Sequence, residues 1–121
     1  MPAATILDGA AMDLLAGLGG GSVLVACGPD GQVFGWLHIA PYYSLATPLQ
    51  AEIRALIVDR LARGARVGSA LLGAAELWAR EHRLGLMRVH ADAVRENADR
   101  FYCERGFIMH PEPQALLKAL N

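Results

Sequence analysis

The chain has 121 residues, of which 54% are hydrophobic and 19% are charged, and its formal net charge is −1. This length and composition exclude a disordered chain and predict one domain spanning residues 1–121. The near-neutral charge argues against a nucleic-acid partner, because nucleic-acid binders usually carry an excess of basic residues.

The N-terminal segment, about residues 4–18, has apolar residues at helical spacing and ends at three glycines, so we predict a helix there. This segment lacks the basic residues of a signal peptide and carries Asp8 and Asp13. No apolar run reaches the length of a transmembrane helix. We therefore expect a cytoplasmic protein with no membrane partner.

A β-hairpin is predicted next. The segments SVLVAC (22–27) and QVFGWLHIA (32–40) are rich in β-branched and aromatic residues, and GPDG between them is typical of a turn. Pro41 is expected to end or bend the second strand, and YYSLATPL (42–49) to form a loop.

The segment AEIRALIVD (51–59) is predicted to form a third strand. Its alternation predicts two faces, because successive side chains of a strand point to opposite sides. The first face would hold Ile53, Ala55 and Ile57, and the second would hold Glu52, Arg54, Leu56 and Val58.

The second half of the chain alternates helices and strands. Residues 67–82 have apolar positions at helical spacing, LMRVHADA (86–93) reads as a strand, and residues 96–105 form a short helix that Gly106 ends. FIMH (107–110) is a strand, whereas QALLKAL (114–120) fits a helix or a strand. The order predicts an α/β (α+β) fold: a mixed, mostly antiparallel sheet with a central parallel strand–helix–strand unit.

The loop before the first of these two helices, residues 63–69, contains Gly64 and Gly68 and belongs to a local cluster of arginines. It could bind a small anion, because first-turn amides lack intrahelical partners and glycine lets a phosphate approach them. It could equally be an ordinary turn with solvated arginines. It is neither a P-loop nor a dinucleotide fingerprint, because the spacing differs from both.

Two residues further along the chain could transfer protons. Tyr102 is either a core aromatic of the short helix or a proton donor beside a reacting centre. Glu52 is either an exposed charge on an otherwise apolar strand or a general base that acts directly or through water.

Two sequence patterns occur together. Leu56-Ile57-Val58 precedes Arg63-Gly64-Ala65-Arg66-Val67-Gly68, and a second run contains Ala98, Phe101, Tyr102, Gly106 and Phe107. Their order and separation resemble the GNAT superfamily of acyl-CoA-dependent N-acetyltransferases over about residues 22–107. The first run corresponds to the family's strand and its Arg/Gln-x-x-Gly-x-Gly/Ala signature, and the second to its tyrosine-containing pattern.

The resemblance implies a transfer of the acetyl group from acetyl-CoA to a primary amine by direct attack. The backbone of Leu56, Ile57 and Val58 would pair with the pantetheine arm. Tyr102 would protonate the leaving thiolate, and Glu52 would be the general base. The backbone amides that would hold the pyrophosphate belong to Arg63, Gly64, Ala65, Arg66, Val67, Gly68 and Ser69.

The chain departs from the family pattern at three places. Arg66 replaces the first signature glycine, so either its backbone or its guanidinium could meet the phosphates. Arg95 stands where many members carry a cofactor-contacting Asn. The N-terminus is short: one predicted helix replaces the usual strand and two helices. The acceptor pocket could therefore be open, or a second subunit could complete it in a homodimer.

Other interpretations stay open. The chain could be a non-catalytic acyl-CoA-binding or regulatory module, or a domain that only dimerises. The acceptor could be an aminoglycoside, a polyamine, an amino acid, or a protein N-terminus or lysine. No structural metal is expected, because the cysteines and histidines lack ligand spacing. Four residues could line the acceptor side of the site: Trp36, His38, Tyr42 and Tyr43. They could instead belong to the core or to a dimer surface.

Overall fold

The structure, a computed structural model, describes residues 5–8, 21–44, 47–62, 66–90, 98–110 and 115–120. Within these residues, seven strands form one sheet in the order β1-β2-β3-β4-β5-β7-β6. The strands are β1 (Thr5–Asp8), β2 (Ser22–Cys27), β3 (Val33–Ser44), β4 (Thr47–Val58), β5 (Leu86–Val89), β6 (Ile108–His110) and β7 (Ala115–Ala119). The helices are α1 (Val67–Glu81), α2 (Ala98–Glu104) and a short 3-10 helix (Arg60–Ala62).

The sheet is antiparallel except between β4 and β5, which pair in parallel. Because α1 connects these two strands, they form the central strand–helix–strand unit that the sequence predicts. The predicted fold class is therefore confirmed.

The first hairpin forms where its turn sequence predicts it. β2 and β3 pair antiparallel, with Val25 opposite Trp36. Gly31 in the connecting turn has a φ of 84°, a left-handed conformation that glycine adopts at little cost. The local turn signal is therefore sufficient to locate this hairpin.

The predicted N-terminal helix is wrong for Thr5–Asp8, which form β1 and pair with β2 so that Ile6 lies opposite Ala26. The free edge of β2 offers these residues a hydrogen-bonding partner, and sequence periodicity does not reveal such a distant partner. From the resemblance to the family, we expected the usual initial strand to be missing. β1 is a strand at this position. The rest of the predicted helix lies outside the described residues.

The predicted loop over residues 42–49 is also wrong for the residues that the structure describes. β3 continues to Ser44, and β4 begins at Thr47. β3 runs through Pro41, which lies opposite Ala51 of β4. Among the described residues, the pairing between β2 and β3 reaches no further than Ile39, so Pro41 has a described strand partner on one side only. Proline is tolerated in strands at such positions.

A β-bulge at Arg54 interrupts the alternation of β4. Ile53 lies opposite Ile39 of β3, but Ala55 lies opposite His38, so Arg54 is the extra residue. A bulge of this kind exchanges the faces of the residues that follow it.

The predicted faces of β4 are therefore wrong beyond the bulge. Ile53, Leu56 and Val58 lie on one face of β4, because their partners on β3 are every second residue of that strand. We call this face the helix face. Glu52 shares the other face, which we call the Glu52 face, with Ala55 and Ile57.

The core lies between the helix face and the two helices. The buried residues of α1 are Val67, Leu71, Leu72, Ala75, Trp78 and Ala79. They join one cluster with Ile53 of β4 and Val89 of β5, and Tyr102 and Phe107 extend that cluster from the α2 region. This shared core fixes α2 beside the β4–β5 unit.

The segment that fits either helix or strand by sequence forms β7. It pairs with β5 on one side and with β6 on the other, so that Leu117 lies opposite both Arg88 and Ile108. Pairing on both edges explains why these residues form a strand. The other predicted elements are confirmed: β5 and β6 at slightly shorter lengths, α1 at Val67–Glu81 and α2 at Ala98–Glu104.

Candidate active site

The place where the pairing of β4 and β5 ends is the first feature of the site. The two strands pair only from Ala51 to Ile53, and the backbone N–H of His90 donates to the Ile53 carbonyl at 2.8 Å. Beyond Ile53, no described strand pairs with this edge of β4. The predicted pantetheine-binding residues, Leu56 to Val58, lie on this stretch, whose edge can pair with an extended ligand.

The start of α1 is the second feature. Arg66 precedes the helix with φ 61° and ψ 22°, the left-handed conformation that favours glycine. The N-cap residue Arg66 makes no side-chain capping hydrogen bond, and the first bond along the helix runs from the Ala70 N–H to the Arg66 carbonyl at 3.0 Å. The amides of the first turn, at Val67, Gly68 and Ser69, therefore have no intrahelical acceptor and suit an anion.

Gly68 has a packing role as well. A Cβ atom on this residue would lie 3.3 Å from Cε1 and Cζ of the Phe101 ring, closer than ordinary contact. The absence of a side chain at this position lets α2 approach the first turn of α1. Glycine is therefore explained here by helix packing, whether or not a phosphate binds.

Arg105 joins the two helices at the same point, and the sequence interpretation missed it. Its Nε donates to the Ser69 Oγ at 3.1 Å, its Nη2 also contacts that oxygen, and its Nη1 donates to the Phe101 carbonyl at 3.0 Å. The guanidinium carbon lies 3.9 Å from the centroid of the Phe101 ring. In the sequence, Arg105 lies just before Gly106 and one helical turn after Phe101, and this position could have indicated a contact with Phe101.

This arrangement places a positive charge at the positive end of the α1 dipole. A cation there is unfavourable by itself, whereas an anion bound at the first turn would compensate both charges. The Ser69 hydroxyl oxygen accepts from Arg105, and the predicted contact of the Ser69 backbone N–H with a phosphate stays a prediction.

Tyr102 is fully buried, with 0% of its surface exposed. Its ring meets Phe101 and Phe107 edge-on, with centroid distances of 5.2 and 5.5 Å. Its hydroxyl has no hydrogen-bond partner within the described part of the chain. Burial raises the pKa of Tyr102 above its ordinary value, so the hydroxyl is protonated and can donate to a ligand atom.

Glu52 is 2% exposed, so it is not a solvated edge charge. Its Oε1 lies 3.1 Å from the Arg54 Nε and its Oε2 lies 3.0 Å from the Arg88 Nε. The second contact is an ion pair without the alignment of a hydrogen bond. The Arg88 guanidinium also stacks on the Tyr42 ring, 3.9 Å from its centroid. Two guanidiniums thus hold the buried carboxylate on the Glu52 face.

Other polar atoms share the Glu52 face. The His38 Nε2 and the Gln50 Oε1 are buried and have no hydrogen-bond partner among the described residues. The pKa of His38 is lowered, first by burial and then by the charge of Arg54, so its imidazole is neutral near pH 7. Trp36, on the same face, is 37% exposed.

Several predicted site residues lie outside the described part of the chain. Arg63, Gly64, Ala65 and Arg95 belong to this group, as does the side chain of Tyr43, and their roles stay predictions. Arg88 was missed because its pairing with Glu52 depends on the parallel register of β4 and β5. An arginine within an apolar strand was the available signal.

Within the described ranges, no group of three or more His, Cys, Asp or Glu side chains could hold a metal ion. The described helices include none that is long and apolar enough to cross a bilayer.

Comparison with known proteins agrees with this geometry. Residues 8–107 match the model of the acetyltransferase (GNAT) family. No curated protein sequence matches the chain.

Solved structures share the fold. A Klebsiella pneumoniae protein classed as an acyl-CoA N-acyltransferase is 23% identical with a TM-score of 0.74, over 98% of both chains. A Pyrococcus furiosus protein classed as an acetyl transferase is 23% identical with a TM-score of 0.76, over 88% of this chain and 94% of that one. AtaTR bound with AcCoA is 17% identical with a TM-score of 0.73, over 98% and 94%. The family match over most of the chain shows that this protein belongs to the GNAT acetyltransferases, which transfer acyl groups from acyl-CoA.

Proposed function

We propose that the chain is an N-acetyltransferase that transfers the acetyl group of acetyl-CoA to a primary amine by direct attack. The buried Tyr102 hydroxyl carries this proposal, because it is a protonated donor with no partner among the described residues. Buried polar groups usually have partners, so an unpaired one suggests a group that the reaction supplies. Tyr102 belongs to the same cluster as Ile53 and Val89, where the pairing of β4 and β5 ends.

The chain offers groups for each part of the co-substrate. The free edge of β4 at Leu56 to Val58 suits the amides of the pantetheine arm, and the first-turn amides of α1 suit the pyrophosphate. A backbone N–H of β4 would polarise the thioester carbonyl. These assignments extend those of the sequence analysis, and Arg63, Gly64, Ala65 and Arg95 keep their proposed roles in binding.

The proposed reaction is balanced in bonds and protons. The amine nitrogen attacks the carbonyl carbon, so a C–N bond forms while the C–S bond breaks. Glu52 accepts the proton that nitrogen loses, directly or through water. Tyr102 gives its proton to the departing sulfur. Before the next turnover, Glu52 releases its proton to solvent and Tyr102 regains one from solvent.

Substitution of Tyr102 tests this proposal. We expect Tyr102→Phe to lower kcat roughly tenfold or more, within the usual range for loss of a general acid. The free energy of unfolding should not fall, because the variant removes a buried hydroxyl that has no partner among the described residues. Turnover is measured by detection of the CoA thiol, and unfolding by urea titration.

Cys103→Ser is the matched control for that experiment, since Cys103 lies next to Tyr102 on α2 and is exposed. It should keep the wild-type kcat. Unchanged turnover in Tyr102→Phe would remove Tyr102 from the mechanism.

The remaining expectations are part of the same proposal. We infer one domain over residues 1–121, a cytoplasmic location, no nucleic-acid or membrane partner, and no metal. A homodimer is also proposed, because Ile108 is 72% exposed on the edge strand β6. The acceptor is a small-molecule or peptide amine.

A further inference from the structure

We propose that the acceptor is a small zwitterionic amine, such as a free amino acid, whose carboxylate is bound by the outer end of the Arg54 guanidinium. This inference rests on the proposed function, because it identifies the acceptor of that same site. It narrows the acceptors that the sequence leaves open.

The position of Glu52 fixes where the acceptor must lie. An amine that gives its proton to Glu52, directly or through one water, has to approach the face of the sheet on which this carboxylate lies. The partners of Glu52 on that face are Arg54 and Arg88. The acceptor therefore meets two guanidiniums wherever it meets the carboxylate.

The charges on this face disfavour a purely cationic acceptor. The described part of the face holds two guanidiniums and one carboxylate around Glu52, and the His38 imidazole adds no charge near pH 7. Among these described groups the excess is positive, which disfavours a polyamine or an aminoglycoside. An amine with its own carboxylate brings the compensating charge.

Arg54 has the geometry to bind that carboxylate. Its contact with Glu52 uses Nε, which leaves the edge formed by Nη1 and Nη2 directed elsewhere. With 42% of the Arg54 side chain exposed, this end of the guanidinium is accessible to a ligand. Such an edge matches the two oxygens of a carboxylate. Arg88 is less accessible, with 13% of its side chain exposed and its guanidinium stacked on Tyr42.

The amine end of the acceptor also finds suitable groups. Gln50 is 4% exposed and its Oε1 has no partner among the described residues. It lies two residues before Glu52 on β4, so both side chains project to the same face. The neutral His38 supplies another unpartnered atom, Nε2, on this face. An unpartnered amide oxygen on the same face as an accessible guanidinium fits a molecule with an amine at one end and a carboxylate at the other.

The test compares matched acceptors with acetyl-CoA at saturation. Each of the common amino acids is paired with its own carboxamide, which keeps the amine and removes the carboxylate charge, and spermidine is the polycation. The value of kcat/KM is corrected for the unprotonated fraction of each amine. We expect the best amino acid to exceed its amide and spermidine by about tenfold or more, the usual effect of a charged hydrogen bond.

Variants of Arg54 test whether this residue causes the preference. Arg54→Gln should bring the acid-to-amide ratio close to one, mainly through a higher KM for the acid. Arg54→Lys should lower the ratio only partly, because it keeps the charge and loses the planar fork. Arg54→Lys also keeps a cation beside Glu52, so it is informative even if Arg54→Gln folds poorly. Arg100→Gln is the control, because Arg100 lies on α2 and its side chain is 86% exposed. This variant should keep the wild-type acid-to-amide ratio.

Three outcomes would overturn the inference while leaving the proposed function intact: an amide preferred over its acid, spermidine preferred over all amino acids, or a preference that survives Arg54→Gln. A different outcome would contradict the proposed function itself. If acetyl-CoA binds by calorimetry but no amine of any class releases CoA, acetyl transfer is wrong, and the acceptor inference falls with it.

Discussion

Arg66 holds a backbone conformation that the family pattern assigns to glycine. Its φ of 61° lies in the left-handed region, which costs a residue with a Cβ roughly 1–2 kcal/mol. The surroundings must therefore fix this turn, and the backbone can present the same amides to a ligand as glycine would. The structure thus explains how the signature tolerates an arginine at its first glycine.

Replacement of Arg66 separates the backbone from the guanidinium. We expect Arg66→Gly to raise the free energy of unfolding by about 0.5–1 kcal/mol, because relief of the left-handed strain exceeds the added entropy of the unfolded chain. Acetyl-CoA affinity should stay within about threefold of wild type, since the backbone keeps its path. Urea titration and calorimetry measure the two quantities.

Arg66→Ala is the control for that substitution, because it removes the guanidinium and keeps the strain. It should show no gain in stability. A loss of acetyl-CoA affinity of tenfold or more in both variants would instead show that the guanidinium contacts the phosphates.

At the scale of elements, the contact between α2 and the start of α1 positions both proposed binding regions. Arg105 crosses from α2 to Ser69 of α1, and Gly68 leaves room for the Phe101 ring. Tyr102 belongs to α2, so the same docking that orders the first turn of α1 also fixes the proposed proton donor.

Removal of the Arg105 side chain should weaken this docking. We expect Arg105→Ala to lower the free energy of unfolding by about 1–2 kcal/mol, since it loses hydrogen bonds to Ser69 and Phe101 and the stacking on Phe101. Urea denaturation measures the loss. Arg100→Ala, on the same helix, removes only an exposed pair with Glu104 and should cost within about 0.5 kcal/mol. Equal effects of the two substitutions would contradict a docking role for Arg105.

At the scale of the whole molecule, local signals predicted much of the fold. The GPDG turn located the β2–β3 hairpin, and Gly106, with a φ of 93°, ends the region of α2 as expected. Both signals act within a few residues and depend on the conformational freedom of glycine.

The parts that the sequence did not predict depend on distant partners. β1 exists because β2 has a free edge, and the faces of β4 change at Arg54 because of its pairing with β3. The site follows the same rule. Tyr102 and Glu52 were identifiable from the motif and from an unusual charge, whereas the contacts of Arg88 with Glu52 and of Arg105 with Ser69 arise only when separate elements meet.

Release of CoA thiol from acetyl-CoA in the presence of a primary amine is the most direct test of acetyl transfer. We expect thiol release that depends on the amine. Mass spectrometry should detect one acetylated amine for each thiol released. Binding of acetyl-CoA without release for any amine would contradict acetyl transfer and would favour a non-catalytic acyl-CoA-binding module.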